Sequence, residues 1–143
     1  MEVVIAVGII IVLTTMVGFS FSAYRKSSDV AAVTDSLLSY LKEARSDTLS
    51  SKGASSWGVH IESNRIVIFK GASFTNGAPD NREITLPNTT QISSISLTGG
   101  GSDVLFKRLT GETDQNGTIT IRSVADSSVS STVTIQPTGV ASG

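Results

Sequence analysis

The chain contains no cysteine, one histidine, one tryptophan and only three prolines in 143 residues. Without cysteine there is neither a disulfide framework nor a thiolate metal site, although that absence assigns no compartment. With His60 as the sole histidine, Ser-His-Asp catalysis has one candidate base, and no nucleophile signature lies near it. Aromatics make up 6% of the chain, and eleven Lys and Arg against twelve Asp and Glu leave a net charge of −1. No global field therefore points to nucleic acid or to an acidic ligand. The length suits one ordinary domain with an appendage.

The first stretch, "MEVVIAVGIIIVLTTMVGFSFSAYRK", lacks any basic residue ahead of its apolar run. Val3 to Leu13 carries no polar side chain, and Thr14, Thr15, Ser20 and Ser22 interrupt the rest only weakly. About 20 apolar residues at ~1.5 Å rise match a ~30 Å hydrocarbon core. Each Ile, Leu, Val or Phe contributes about −0.3 to −0.6 kcal/mol at the centre of such a helix. A membrane-spanning helix over Val3–Ala23 is the expectation. A secretory signal peptide would begin with positive charge and end at a small-x-small cleavage site, whereas this run begins with Glu2. An ordinary single-pass anchor would leave Glu2 as an incidental end residue.

The segment that follows, "SSDVAAVTDSLLSYLKEARSDTLSSKG", continues in helical phase. Val30, Val33, Leu37, Leu41, Ala44 and Thr48 recur at three- and four-residue steps, with Leu38 and Leu49 widening the stripe. Asp29, Asp35, Lys42, Glu43, Arg45 and Asp47 fall mostly on the other faces. No proline stands between Glu2 and Ser51, and Lys52-Gly53 supplies a stop. The pattern predicts one helix of about 50 residues, ~75 Å long, half of it apolar and half amphipathic.

From Trp57 the period changes to two. "WGVHIESNRIVIF" reads as a hairpin turning at Ser63-Asn64, and "KGASFTNGAPDN" as a loop. "REITL", "QISSISL", "DVLFKRL", "TITIRS" and "STVTIQ" follow, each short and rich in β-branched residues. Turn signals at Pro87-Asn88, Gly99-Gly100-Gly101, Asn116-Gly117 and Thr138-Gly139 separate them. The expected class is α+β, with a long N-terminal helix packed on a C-terminal antiparallel sheet meander through Val30, Val33, Leu37, Leu38 and Leu41. Residues 1–24 form the membrane half of the helix, 25–52 its amphipathic half, and 53–143 the sheet domain.

This outline, together with "MEVVIAVGIIIVL", resembles a type IV pilin or pseudopilin, whose N-terminal signature places a glutamate at the head of a long apolar run. "LLSYLKEARSDTLSSKG", "GVHIESNRIVIF", "VLFKRLTGETDQNGTITIRS" and "STVTIQPTGVAS" resemble the minor pseudopilins of the GspH/FimT type. The resemblance implies a pilin fold and a structural subunit of a type IV pilus or type II secretion pseudopilus. It implies an inner-membrane protein with its C-terminal domain outside the cytoplasm, no cofactor, and no catalysis. By this match Glu2 faces the N-terminal amine of a neighbouring subunit, and Val3, Val4, Ile5, Gly8 and Ile9 belong to the helix bundle of the fibre. A carboxylate drawn into lipid costs about 2.5–3.5 kcal/mol, which a facing cation offsets. Implied partners are other pilin or pseudopilin subunits, membrane lipid, an inner-membrane assembly platform, and a prepilin peptidase. That peptidase acts on a basic leader ending in glycine, expected upstream of Met1, and methylates the new N-terminus.

The alternative reading is a membrane-anchored pilin-like DNA receptor for natural transformation, since some FimT-type pilins are taken to capture DNA through basic C-terminal regions. Lys107, Arg108 and Arg122 would gather on neighbouring strands for a weak contact, with Asp103, Glu112, Asp114 and Asp126 opposing them. A third reading is an anchored surface domain with no fibre. "DQNG" at Asp114–Gly117 lacks most calcium ligands, and "TGGGSD" lacks the lysine of a phosphate loop, so no metal is expected. The surface loops Phe74–Asn81 and Gly99–Asp103 are the expected contacts for cargo.

Overall fold

The computed structural model describes residues 2–143, and of residues 15–23 it describes the backbone alone. Helix α1 runs unbroken over Glu2–Leu49, 48 residues. Its apolar stripe lies in the core: Val30, Val33, Leu37, Leu41 and Ala44 are each no more than 5% exposed, and Leu38 packs beside them half-buried. Thr34 and Thr48 share the buried face because their hydroxyls return to the carbonyls of Val30 and Ala44, both at 2.8 Å. Ser51 enters the left-handed region and a single 3-10 turn, Lys52–Ala54, follows, so the helix stops where the Lys52-Gly53 signal stands.

Eight strands follow: β1 Trp57–Ile61, β2 Arg65–Lys70, β3 Arg82–Thr85, β4 Thr90–Leu97, β5 Asp103–Leu105, β6 Gly117–Ser123, β7 Ser130–Ile135 and β8 Ala141–Ser142. They form two antiparallel four-stranded sheets, β3-β2-β1-β5 and β4-β6-β7-β8. This corrects the expectation of one meander. Alternation tells which side chains face inward but not which strand lies alongside. β5 skips past β4 to pair with β1, with Val59 opposite Val104. The sheets are stitched together at the first hairpin turn, where Asn64 and Ser63 accept the backbone N–H groups of Leu86 and Ile92 at 2.8 and 2.9 Å.

"DVLFKRL" is a strand only as far as Leu105. Phe106, 1% exposed, turns into the core, and Lys107 and Gly111 then close a tight turn. β8 carried no sequence signal, since two residues are too few to show a period. Val59, Ile61, Ile66, Ile68 and Val104 of the first sheet meet Ile119, Ile121, Val133 and Ile135 of the second and the stripe of α1 in one core. The result is an α+β arrangement consistent with a pilin fold. Among the described residues no helix is long and apolar enough to cross a membrane. The span expected over Val3–Ala23 includes the side chains of residues 15–23, which lie outside the described ones.

Candidate functional site

The residues expected to assemble a fibre stand at the free end of α1. Glu2, Val3, Val4, Ile5, Gly8 and Ile9 are all exposed, Val3 and Val4 at 74%. Nothing lies within 4 Å of where a side chain on Gly8 would begin. Thr14 satisfies its hydroxyl on the Ile10 carbonyl at 2.6 Å, which makes this stretch less polar than its composition states. Gly18 and the hydroxyls beyond Thr14 fall within 15–23, outside the described side chains. A contiguous exposed apolar surface of this kind marks an interaction surface.

The other end of α1 is bound to the sheets by polar contacts as well as by its stripe. Arg82, at the start of β3, pairs with Glu43 and reaches Asp47 at 3.3 Å, while Lys52 meets Asp47 at 2.9 Å. Both cations lie over the Trp57 ring, Lys52 at 5.4 Å and Arg82 at 5.9 Å from its centroid. Glu43 and Asp47, although off the apolar stripe, therefore help to dock the helix on the first sheet. Arg45 donates to the carbonyls of Gly111 and Thr138 at 3.1 and 3.4 Å and so ties the helix to two loops. Beside it an open groove of about 630 Å³ is lined by Lys42, Leu49, Gly139 and Val140 among others.

The outer face of the first sheet carries a second cluster. Strand pairing places His60 opposite Val67 and Asp103, and Gly58 opposite Phe69. Only glycine fits at 58, where a Cβ would lie 2.6 Å from the Phe69 ring and 2.8 Å from the Val104 carbonyl oxygen. The loop over residues 71–81 folds back across this face. Phe74 stacks on His60 with ring centroids 3.9 Å apart and meets Phe69 edge-on at 5.8 Å. Charged side chains flank the stack: Asp103 and Glu62 beside the His60 ring, then Arg65 and Glu83. Hydrogen bonds from Arg65 hold the Glu62 carboxyl below the usual carboxylate range, and the same pairing raises Arg65. The two loops named as cargo contacts, Phe74–Asn81 and Gly99–Asp103, thus meet at His60. The chain spacing hid this, because 43 residues separate His60 from Asp103.

The three basic residues considered for nucleic acid do not come together on neighbouring strands. Lys107 and Arg108 lie in the turn after β5, whereas Arg122 lies on β6 in the other sheet. Lys107 meets Asp114 at 2.7 Å, which raises its pKa. Arg122 is held by Gln91, whose amide oxygen, turned toward it, accepts at 2.8 and 2.9 Å. Among the described residues no cluster of histidine and carboxylates is arranged to hold a metal ion.

A long helix docked by a buried stripe on two antiparallel sheets, with an exposed apolar end, defines a pilin-like subunit. The family model for GspH, the type II transport protein GspH, matches residues 33–139, and the chain belongs to that family. No curated protein and no solved structure matches it. The match begins at Val33 and therefore rests on the docked half of α1 and both sheets. The family is a structural one with a pseudopilin role in type II secretion.

Proposed function

We propose that the chain is a minor pseudopilin, stored as a single-pass protein of the cytoplasmic membrane and then built into a type II secretion pseudopilus or a related type IV pilus. The first half of α1 is its membrane anchor before assembly and part of the helical core of the fibre afterwards. Glu2 faces the N-terminal amine of a neighbouring subunit and sets axial register. Prepilin peptidase and the inner-membrane assembly platform act on this half, while the sheets remain outside the cytoplasm. The observation that carries the reading is one continuous 48-residue helix, apolar and exposed at its start and buried against both sheets at its end. Such a helix makes two different environments simultaneous requirements.

The test is Glu2→Ala in cells that express the remaining machinery. The variant should stay in the membrane fraction and disappear from sheared fibres. Intact mass of the native protein should place its N-terminus a few residues upstream of Met1, with one added methyl. A Glu2→Ala protein that enters fibres like the wild type, or a native mass starting at an unmodified Met1, would sink the assembly reading. The DNA-receptor alternative gains nothing from the placement of Lys107, Arg108 and Arg122.

A further inference from the structure

Of the five asparagines, only Asn76 and Asn116 precede a glycine, and the fold gives these two pairs opposite surroundings. Asn76 and Gly77 form an exposed turn at the tip of the 71–81 loop, with Gly77 in the left-handed region at φ 74°. Nothing lies within 4 Å of where a Cβ on Gly77 would stand, and its N–H has no partner among the described residues. The loop is fixed beside this tip: Asn81 donates its side-chain amide to the Thr75 carbonyl at 2.8 Å and its backbone N–H to the Ala78 carbonyl at 3.0 Å. Asn116 and Gly117, by contrast, lead into an inner strand. The Asn116 carbonyl accepts the Thr98 N–H at 2.8 Å, and Gly117 is paired with Leu97 on one side and Ile135 on the other. A Cβ on Gly117 would lie 2.0 Å from the Ser96 carbonyl oxygen, so this peptide is packed tightly against β4.

A cation stands beside the exposed pair. Arg65 on β2 donates from Nη1 and Nη2 to Oδ1 of Asn76, at 3.4 and 3.5 Å. A guanidinium keeps its charge at every physiological pH. Arg65 is anchored independently of the loop, by both oxygens of Glu62 at 2.7 and 2.8 Å and by Glu83 at 3.0 Å. Its charge therefore stays next to the Asn76 carbonyl whatever happens to the Asn76 amide nitrogen.

We infer that Asn76-Gly77 is a self-modification site, at which the side-chain amide is exchanged for a carboxylate with the help of Arg65. The Gly77 backbone nitrogen gives up its proton to solvent and attacks Cγ of Asn76. Negative charge then gathers on Oδ1, the atom that Arg65 faces, and a cation in that position stabilises the intermediate. The Cγ–Nδ2 bond breaks, Nδ2 takes up a proton and leaves as ammonia, and a five-membered imide remains. One water opens the imide at either carbonyl, leaving aspartate or isoaspartate. Glycine obstructs the attack least because it has no Cβ. Asn64, Asn81 and Asn88 precede Arg65, Arg82 and Thr89, whose side chains crowd the attacking nitrogen. Asn116 precedes a peptide held between two strands. The loop tip thus passes once, and irreversibly, from neutral to anionic, and the isoaspartate form lengthens its backbone by a methylene.

The test incubates the full chain in detergent micelles at mildly alkaline pH. Peptide mass spectrometry follows each asparagine, with the aspartate and isoaspartate forms separated, and released ammonia is measured alongside. Asn76 should convert at least about tenfold faster than Asn116, because an inner strand opens only at a free-energy cost that an exposed loop tip does not carry. In guanidinium chloride the two rates should come together. Arg65→Gln should slow Asn76 several-fold in the folded chain and leave Asn116 unchanged. That loss is smaller than the about 10²–10³-fold of a buried oxyanion donor, since these contacts are long and open to water. Arg65→Lys, which keeps the charge, should retain part of the rate. An arginine that merely restrains the loop gives the opposite result, faster conversion on its removal. Equal rates at Asn76 and Asn116 in the folded chain overturn the site, as does a difference that persists in guanidinium chloride. Conversion in Arg65→Gln as fast as in the wild type, or faster, overturns the assistance by Arg65.

Discussion

The hydroxyl of Thr48, on the last turn of α1, accepts the backbone N–H of Trp57 at 2.9 Å and donates to the Ala44 carbonyl at 2.8 Å. It is fully buried, and it fixes the first residue of β1 against the helix end. In this way one short polar side chain ties the start of β1 to the last turn of the helix. The Trp57 indole N–H, bonded to the Lys52 carbonyl at 3.0 Å, holds the intervening turn from the other side.

Thr48→Val keeps the shape and removes the acceptor. The Trp57 N–H is then buried without a partner, and the expected cost is about 1–3 kcal/mol. Thermal or urea unfolding followed by Trp57 fluorescence measures it. Stability equal to wild type would mean that water reaches the joint.

Leu41 is 1% exposed at the centre of the buried stripe. Leu41→Ala should cost about 2–5 kcal/mol, the range for a buried leucine truncated in a rigid core. Leu41→Asp should leave the sheet domain unfolded, because its charge would have no partner among the surrounding isoleucines and valines. A folded Leu41→Asp protein by circular dichroism would refute the packing of α1 on the sheets.

Gly58 offers a local test of the outer face. Ala at this position meets the Phe69 ring and the backbone oxygen of Val104 at once. Since one of those atoms belongs to the backbone, the change should destabilise by about 1–3 kcal/mol. Combining Gly58→Ala with Phe69→Leu should recover part of that stability in a double-mutant cycle. Purely additive effects would place the clash at Val104 alone.

Acid stability follows from two carboxylates held below their usual range. Glu62 is lowered chiefly by hydrogen bonds from Arg65, and Asp126 by the hydroxyl and backbone N–H of Ser128 at 2.6 and 3.1 Å. Folding lowers their proton affinity, so their contribution is fully present above the carboxylate range of the unfolded chain. It is lost as the pH falls through the lower folded values. Unfolding curves from neutral pH down through the carboxylate range should show this decline, and Glu62→Gln should make it shallower. An unchanged slope in Glu62→Gln would assign the acid effect to other groups.

For nucleic acid, a mobility-shift titration of the full chain with duplex DNA at low salt should show no shift. A shift that Lys107→Ala, Arg108→Ala and Arg122→Ala together abolish would restore the receptor reading, against the separation of these residues between two sheets.

Much of the architecture was legible because it depends on short-range periodicity. The stripe from Val30 to Thr48 has a helical step and no breaker, so its burial follows once any apolar surface is offered to it. The hairpin from Trp57 to Phe69 declares itself by alternation on both sides of a two-residue turn signal. The apolar run that follows Glu2 was legible as a pattern, and the residues proposed for assembly, Glu2 to Ile9, all lie on its exposed surface. Less legible were Arg82 and Asp47, where an acidic pair on the helix and an arginine opening a strand were visible only as separate charges.

By itself the sequence determined a continuous helix with an apolar first half and an amphipathic second half, and the approximate positions of most strands. These properties reside in residue spacing, which local backbone geometry converts directly into faces. Tertiary structure alone decided that the strands divide into two sheets, that β5 returns to β1, and that Phe74 and Asp103 both close on His60. Pairing between distant strands depends on which edges remain free after the core is filled, and that choice is settled by the competition of all strands for the same helix face.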